Sequence, residues 1–311
     1  MKDTILFGDC RETLKNVTNL SVQTCITSPP YYGLRDYGGE ESQIGQENTP
    51  EEYIQNLVSV FRSVRDTLKD DGTLWLNIGD SYYNYRPGKG QGLVKQTVSK
   101  TKQDLPDKCA RRGNKLDGLK EKDLIGIPWM LAFALRQDGW YLRQDIIWHK
   151  PNPMPESVKD RCTKSHEYIF LLSKNKKYYY DNEAIKEPAK DWGTRDRSNG
   201  KYHNSGSGLS PHSGLTKSYK RKNKRSVWSI TNKPYKGSHF AVFPPDLVEI
   251  CVKAGSKKND IILDPFMGSG TTAMVAKSLG RYYLGCELHE DYGNLIKDRV
   301  TPYHANLENF L

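Results

Sequence analysis

The sequence predicts an α/β protein with a mostly parallel β-sheet and helices on both faces. Short apolar or β-branched runs at residues 4–10, 22–27 and 73–80 have the length and composition of strands. Apolar residues at helical spacing follow Pro50, and a second helix-like stretch covers residues 127–136. Because strands that alternate with helices along a chain form β-α-β units, we expect a parallel sheet at the core.

The size and composition of the chain fit this fold. Its 311 residues suffice for one large α/β domain with an inserted subdomain, or for two modest domains. The mean hydropathy of −0.75 indicates a soluble, rather polar protein. No run approaches the roughly 18 apolar residues of a membrane helix, and the first residues lack the apolar segment of a signal peptide. We therefore expect a cytoplasmic protein without membrane contact.

The cysteines are scattered along the chain, at positions 10, 25, 109, 162, 251 and 286. They show no Cys-x-x-Cys spacing, and no pair of histidines accompanies them at the spacing of a zinc site. We therefore expect reduced, buried thiols, with neither a disulfide framework nor a bound metal.

Basic residues outnumber acidic ones by 47 to 37, and two polar stretches concentrate them. The first, residues 81–122, has little periodicity and fits either a solvated loop or a basic flap that follows phosphates. The second, residues 183–238, interleaves Lys and Arg with Trp, Tyr, His and Asn, which suits phosphate contacts and base-edge reading. It shows no hydrophobic period long enough for a core element. This distribution of charge indicates a nucleic acid as partner.

A stiff turn, Ser28-Pro29-Pro30-Tyr31, follows the second strand-like run. Neither proline can donate to a strand ladder, and each fixes its own φ, so the strand must end here. The turn presents Ser28 and Tyr31 at the carboxyl end of a strand, where open α/β sheets bind their ligands. Taken alone, the same residues fit a purely structural turn equally well.

A glycine-rich loop lies late in the chain, between a buried strand and a helix rich in small residues. Its glycines, Gly268 and Gly270, let the backbone approach a ligand closely, and the following helix N-terminus favours a carboxylate. The loop lacks the lysine that a nucleotide-hydrolysing P-loop needs. Glu287 closes the next strand, where an acidic residue is placed to bind ribose hydroxyls.

Together the two motifs resemble those of the DNA methyltransferases that modify exocyclic amino groups. Ser-Pro-Pro-Tyr at residues 28–31 resembles the catalytic motif of this family, and residues 264–272 resemble its S-adenosylmethionine loop. A catalytic motif that precedes the cofactor loop is typical of the β (permuted) class. The resemblance covers nearly the whole chain, and it implies a Rossmann-like methyltransferase fold with circularly permuted motif order.

The resemblance also assigns residues to the cofactor, S-adenosylmethionine, whose product is S-adenosylhomocysteine. Asp9 matches an acidic residue that contacts the adenine amino group, although it also fits an N-cap of the following helical turn. Phe243 lies in a segment that resembles the one beside the methionine moiety. The other implied cofactor residues are Cys10, Asp264, Pro265, Phe266, Gly268, Ser269, Gly270, Thr271, Thr272 and Glu287.

The resemblance divides the chain into three parts. Residues 1–182 are the catalytic half of the methyltransferase domain and include the basic loop 81–122. Residues 183–238 are the inserted target-recognition region, and residues 239–311 are the cofactor-binding half of the same domain. Double-stranded DNA is the implied partner, and the sequence leaves a homodimer and a cognate restriction enzyme open.

The implied chemistry gives roles to the turn residues Ser28, Pro29, Pro30 and Tyr31. Ser28 Oγ and the Pro29 carbonyl accept the protons of an amino group, the prolines hold that carbonyl in place, and Tyr31 stacks on a base flipped from the duplex. Serine at the first position is, in the resembled family, more typical of cytosine-N4 than of adenine-N6 enzymes.

We therefore expect direct methyl transfer to cytosine N4 in a short DNA sequence. The alternatives are adenine-N6 methylation, methylation of RNA, and a nucleic-acid-binding protein without catalysis. A Rossmann dehydrogenase is disfavoured by the late glycine loop and by the Ser-Pro-Pro-Tyr turn.

Overall fold

The structure is a computed structural model that describes residues 1–33, 43–83, 116, 118–189, 220–232 and 243–304. Most of the basic stretch 81–122 and the middle of the stretch 183–238 lie outside the described residues, as does Cys109.

The first half of the described chain alternates strands with helices, as the sequence predicts. A single 3₁₀ turn, Leu14–Asn16, follows the first helix. The elements in chain order are β1 Thr4–Phe7, α1 Cys10–Thr13, β2 Val22–Thr27, α2 Pro50–Thr67, β3 Leu68–Ile78, α3 Ile127–Gln137, β4 Tyr141–His149 and β5 His166–Ser173.

The second half contains a small two-stranded sheet and then returns to alternating strands and helices. Its elements in chain order are β6 Glu187–Pro188, β7 Arg221–Lys222, β8 Val227–Ser229, α4 Pro245–Gly255, β9 Ile261–Asp264, α5 Thr271–Ser278, β10 Tyr282–Glu287 and α6 Tyr292–His304.

Eight of these strands form one sheet, in the order β1-β10-β9-β2-β3-β5-β4-β8. Strand β5 runs antiparallel to both of its neighbours, β3 and β4, and the other pairings in this described sheet are parallel. The prediction of a mostly parallel sheet is therefore confirmed. Strand β2 lies between β3 and β9, so its carboxyl end meets the end of β9.

Helices cover both faces of the sheet, and the alternation of strand residues shows this directly. Along β2, Cys25 packs into the core cluster that contains Leu57 of α2, whereas Ile26 packs into the one that contains Leu247 of α4. Neighbouring side chains of a strand point to opposite faces, so α2 and α4 lie on opposite sides. The second cluster also includes Ala273 of α5 and Ile296 of α6.

Helix α2 begins where its sequence predicts. The Thr49 side chain caps it by accepting the Glu52 N–H at 3.2 Å, Pro50 occupies the first turn, and acidic residues follow. The strand after it differs from the prediction, because β3 begins at Leu68 instead of residue 73. Leu68 is fully buried and pairs with Val22, and the next aligned pair is Thr24 with Thr73, so the polar residues 69–72 form an irregularity in β3.

The stretch 183–238 contributes a core element that its sequence did not predict. Strand β8 extends the main sheet by pairing with β4, and Trp228 within it is only 4% exposed. The Trp228 ring lies 6.3 Å from that of Trp75, measured between centroids. Its Nε1 donates to the Arg225 carbonyl at 2.8 Å. A strand of three residues is too short to show a period, which is why the pattern missed it.

Within the described residues, Cys10, Cys25, Cys251 and Cys286 are buried free thiols, as predicted, whereas Cys162 is exposed. No group of three His, Cys, Asp or Glu side chains in these residues is arranged to hold a metal ion. None of the described helices is both long and apolar enough to cross a bilayer.

The glycine that precedes α5 serves packing as well as backbone geometry. Gly270 has φ +80°, and a Cβ on it would lie 2.9 Å from Cγ2 of Ile296 in α6. Gly126, which precedes α3, has φ +88°, but a Cβ on it would meet open space in the described structure. Substitution of the two glycines therefore allows the effect of backbone strain to be distinguished from that of steric overlap.

We expect Gly270→Ala to lower the free energy of unfolding by about 1–3 kcal/mol more than Gly126→Ala does. Both exchanges place alanine at a positive φ, but only the first forces a methyl group into Ile296. Denaturant unfolding of the two variants measures the difference. Equal destabilisation would contradict the packing argument.

Candidate active site

The Ser-Pro-Pro-Tyr turn begins directly after β2 and is hydrogen-bonded to α2. Pro29 is buried, whereas Ser28 and Pro30 are half-buried. The hydroxyl of Tyr53, a fully buried residue of α2, donates to the Pro30 carbonyl at 2.7 Å. The turn therefore leaves the strand in a fixed direction, with Ser28 partly accessible at the edge of the sheet.

Tyr31 is seated between two neighbouring strands. A Cβ on Gly79, just beyond β3, would lie 2.7 Å from Cε2 of Tyr31, so the absence of a side chain there makes room for the ring. The Tyr31 hydroxyl donates to Oε2 of Glu167 at 2.7 Å. Burial and the nearby Glu167 carboxylate raise the pKa of Tyr31 well above its ordinary value, so the hydroxyl stays protonated.

The sequence did not predict that Glu167 is part of the site. Besides Tyr31, it accepts a hydrogen bond from Nδ2 of Asn77 at 3.2 Å and pairs with the ammonium of Lys150. The register of the β4–β5 hairpin places Trp148 opposite Glu167. Lys150 follows β4 and Glu167 lies near the start of β5, so the antiparallel pairing of these two strands brings them together.

Asp80 is a second acidic residue at this edge that the sequence did not single out. Its carboxylate accepts the backbone N–H groups of Gly126 and Ile127 at 3.0 and 3.1 Å and so fixes the start of α3. The Asp80 carbonyl accepts a hydrogen bond from Nζ of Lys164 at 2.6 Å. Burial lowers the pKa of Lys164.

A buried carboxylate joins the Ser-Pro-Pro-Tyr turn to the glycine-rich loop. Asp264, at the end of β9, accepts hydrogen bonds from Oγ1 of Thr27 at 2.6 Å and from Oγ1 of Thr272 at 2.7 Å. It also accepts the Phe266 N–H at 3.1 Å. Thr27 directly precedes Ser28, so two motifs that lie far apart in the sequence share one carboxylate.

Glu287 holds the other side of the glycine-rich loop. Its Oε2 accepts the Gly268 N–H at 2.7 Å, and its Oε1 accepts the His289 N–H at 3.1 Å. Burial raises the pKa of Glu287, and these backbone hydrogen bonds oppose the increase. Each carboxylate oxygen has more than one acceptor site, so Glu287 retains capacity for a ligand hydroxyl.

Asp9 lies beside Glu287, because β1 pairs with β10 through Phe7 and Glu287. It caps α1 by accepting the Arg11 N–H at 2.8 Å, and it forms an ion pair with the Arg11 guanidinium at 2.6 Å. Burial raises the pKa of Asp9, but the contacts with Arg11 outweigh it and the net shift is downward. The N-cap interpretation is thus confirmed, and Cys10 beside it is buried.

The remaining predicted cofactor residues occupy different surroundings. Phe266 packs against the core cluster on the α2 face, and Phe243 packs against the one on the α4 face. Ser269 is buried and bound to Arg299 of α6, which donates to its Oγ at 2.7 Å and to its carbonyl at 2.9 Å. Pro265 is buried within the loop. The structure therefore gives Ser269 a link to α6 that the motif did not indicate.

One buried hydroxyl supports a polar ligand at the loop. Oγ1 of Thr271, the first residue of α5, is buried and has no hydrogen-bond partner within the described part of the chain. Native proteins rarely leave a buried polar group unpaired, because its desolvation is costly. Together with the Glu287 carboxylate and the turn at Gly268, this hydroxyl fits S-adenosylmethionine, a polar and charged molecule.

The Asp264 carboxyl should titrate with a pKa of about 6, raised from 3.8 chiefly by burial. We expect Thr272→Val to raise it further, because the variant loses a hydrogen bond to the ionised form. Carbon-13 NMR of labelled aspartate measures the titration, with Asp264→Asn to assign the signal. Thr301→Val, on exposed α6 surface, is the control that leaves this pKa unchanged; an unchanged pKa in Thr272→Val would contradict the network.

The same titration links pH to stability. Because the pKa of Asp264 is higher in the folded than in the unfolded chain, the folded state binds more protons between about pH 4 and 6. The contribution of this group to stability is therefore fully present below its ordinary pKa and is lost as the pH rises through about 6.

The sequence has relatives among known DNA methyltransferases. The family model described as DNA methylase, N6_N4_Mtase, matches residues 22–298. The type II methyltransferase M.SmaI of Serratia marcescens is 49% identical over 301 residues, which are 95% of this chain and 90% of the relative. The type II methyltransferase M.XycI of Xanthomonas campestris pv. cyanopsidis is 43% identical over 98% of this chain and 89% of the relative.

Solved structures show the same fold at lower identity. The PvuII DNA methyltransferase, described as cytosine-N4-specific, superimposes with a TM-score of 0.63 at 17% identity, covering 99% of this chain and 93% of that one. A putative DNA modification methylase from Thermus thermophilus, complexed with S-adenosyl-L-methionine, gives a TM-score of 0.58 at 24% identity over 96% and 93% of the two chains. These similarities confirm the Rossmann-like methyltransferase architecture.

The family model extends over well more than half of the chain, and a relative with 49% identity covers almost all of it. The chain therefore belongs to the N6/N4 family of DNA methylases, which use S-adenosylmethionine as cofactor.

Proposed function

We propose that this protein transfers a methyl group from S-adenosylmethionine to the exocyclic N4 of cytosine within a short sequence of double-stranded DNA. The observation that carries the proposal is the shared Asp264 carboxylate, which binds both Thr27, before the catalytic turn, and Thr272, in the glycine-rich loop. This link keeps a half-buried acceptor, Ser28, beside the loop that fits the cofactor.

The cofactor, when bound, supplies an activated methyl group on a sulfonium. Glu287 would hold its ribose hydroxyls, Asp9 its adenine amino group, and the backbone around Gly268 and Gly270 its polar tail. Glu287 and Asp9 come from adjacent strands that end at one edge of the sheet. The protein thus binds the donor along the ends of β1, β10 and β9.

The catalytic turn would act on the receiving amine. An amine conjugated with its ring is a poor nucleophile, so acceptors must hold its protons while its lone pair turns toward the methyl group. Ser28 Oγ and the Pro29 carbonyl are two acceptors on a stiff segment, and preorganised groups of this kind stabilise the transition state. Tyr31 would stack on the base after it leaves the duplex.

The choice of cytosine rests on Ser28 and on the comparisons. Serine in the first position of the motif is more typical of cytosine-N4 enzymes in this family. The PvuII enzyme, which has the same fold, is described as cytosine-N4-specific. Adenine-N6 methylation is the alternative that would keep the fold, the cofactor and the residue roles.

DNA recognition would fall to residues 183–238, between the catalytic and cofactor halves. The described part of this region is basic: Lys220, Arg221, Lys222, Lys224 and Arg225 lie within six consecutive residues. Glu187 pairs with Arg225 at 2.8 Å and with Lys222 at 3.5 Å, which ties β6 to the segment before β8. Clustered basic groups suit contacts with phosphates. The relatives are type II methyltransferases, which supports a cognate restriction enzyme as a further partner.

Nucleoside mass spectrometry of DNA treated with the protein and S-adenosylmethionine tests the proposal. We expect N4-methylcytosine, and DNA treated without the cofactor is the control. N6-methyladenine would replace the cytosine assignment and keep the rest. No methylated base on DNA of varied sequence would overturn the proposed function, and RNA would then be the substrate to examine.

Two alanine variants distinguish the proposed role in methyl transfer from the proposed role in cofactor binding. Ser28→Ala should reduce the rate of methyl transfer by at least about a hundredfold while the cofactor Kd changes little, because Ser28 faces the base. Glu287→Ala should chiefly weaken cofactor binding. Single-turnover kinetics and calorimetric titration with S-adenosylmethionine measure the two effects. If both variants lose only cofactor affinity, this division of roles is wrong.

A further inference from the structure

The loop between β4 and β5, residues 150–165, lies at the same edge of the sheet as the Ser-Pro-Pro-Tyr turn. Strands β3 and β4 are both antiparallel to β5, so they run in the same direction and end at the same edge. Gly79, just beyond β3, leaves room for the Tyr31 ring. Where the loop begins, Lys150 pairs with Glu167, which accepts a hydrogen bond from the Tyr31 hydroxyl. The loop therefore borders the turn.

Hydrogen bonds hold this loop on both sides of its tip. On one side, Nδ2 of Asn152 donates to the Asn232 carbonyl at 3.1 Å, and Oδ1 of Asn152 accepts the Asn232 N–H at 3.0 Å. On the other side, Oε2 of Glu156 accepts from the Arg161 guanidinium at 2.7 Å and from the Lys164 N–H at 3.1 Å. The tip between these two attachments therefore has a restricted position.

The tip, Pro153-Met154-Pro155, presents one large apolar side chain to solvent. Met154 is 80% exposed, more than any other large apolar side chain in the described part of the chain. Each proline fixes its own φ, and Pro155 restricts Met154 to an extended backbone. Single exposed apolar side chains are common on protein surfaces. Met154 differs from such residues because it stands on a stiff, hydrogen-bonded tip beside the Ser-Pro-Pro-Tyr turn.

The charge of the loop suits a duplex. Residues 150–165 contain four basic and two acidic side chains. Lys159 is exposed, and no carboxylate of the described residues pairs with it. Positive side chains on both sides of the tip attract the phosphates of a nucleic-acid backbone. The loop can therefore meet DNA with its apolar tip directed at the bases.

We propose that this tip enters the duplex at the target base pair and that Met154 fills the gap which the flipped base leaves in the stack. Apolar side chains, methionine among them, are inserted between base steps by proteins that distort DNA. The thioether side chain is flexible and polarisable, so it adapts to an irregular gap. This inference rests on the proposed function, because flipping of the target base is a step of that function.

Single-turnover methylation of two matched duplexes tests the inference. Both carry a sequence that the wild-type protein methylates, but in the second an abasic position replaces the partner of the target base, which therefore starts unpaired. We expect Met154→Ala to lower the rate about tenfold on the intact duplex and by less than about threefold on the abasic one, because unpairing then costs little. Met154→Leu, which keeps an apolar side chain of similar size, should retain most of the rate on both.

Leu20→Ala is the matched control. Leu20 is also an exposed apolar side chain, 52% accessible, but it precedes β2 and so lies at the opposite edge of the sheet. This variant should leave both rates unchanged. Because Met154 is so exposed, Met154→Ala should also leave the melting temperature and the cofactor Kd unchanged, which a structural role would not.

Two results would overturn the inference: an unchanged rate of Met154→Ala on the intact duplex, or an equal loss on both duplexes. The emission of 2-aminopurine at the target position, which rises when the base leaves the stack, separates flipping from methyl transfer and should rise less with Met154→Ala than with wild-type protein. If wild-type protein methylates DNA and Met154→Ala is equally fast, only the role of Met154 is wrong. If wild-type protein methylates no base, the proposed function itself fails.

Discussion

The buried carboxylate of Asp264 is the interaction on which the site depends. Burial alone disfavours its charge, and three hydrogen bonds, from Thr27, Thr272 and the Phe266 N–H, oppose that effect. Each donor belongs to a segment that must be placed: the end of β2, the start of α5 and the loop between β9 and α5. Because β2 lies next to β9 in the sheet, the short side chain of Asp264 can reach all three segments.

The sequence predicted the parts of the fold whose signals are local. The proline pair after β2, the apolar stripe of α2 and the loop at Gly268 each carry their own pattern, and parallel strands that end at one edge bring the two motifs together. Glu167 was missed because its role arises from the pairing of β5 with β3 and β4, which depends on long-range register. Gly270 was only partly understood, since its contact with Ile296 belongs to tertiary packing.

The mixed sheet supports the two motifs from different strands. Its antiparallel part brings Glu167 to the hydroxyl of Tyr31 in the Ser-Pro-Pro-Tyr turn, while its parallel part carries the residues that fit the cofactor. Tyr31 is thus held by β5, whereas the glycine-rich loop is held by Glu287 at the end of β10.

The short strands β6, β7 and β8 have a consequence for how such proteins diversify. Pairing of Pro188 with Arg221 closes the base of the segment between them, and β8 fastens the following residues to the catalytic sheet through Trp228. The entropic cost of closing a loop grows only with the logarithm of its length. Evolution can therefore lengthen, shorten or replace the segment between β6 and β7, which we propose to recognise DNA, at little cost in stability and without disturbing the Ser-Pro-Pro-Tyr turn.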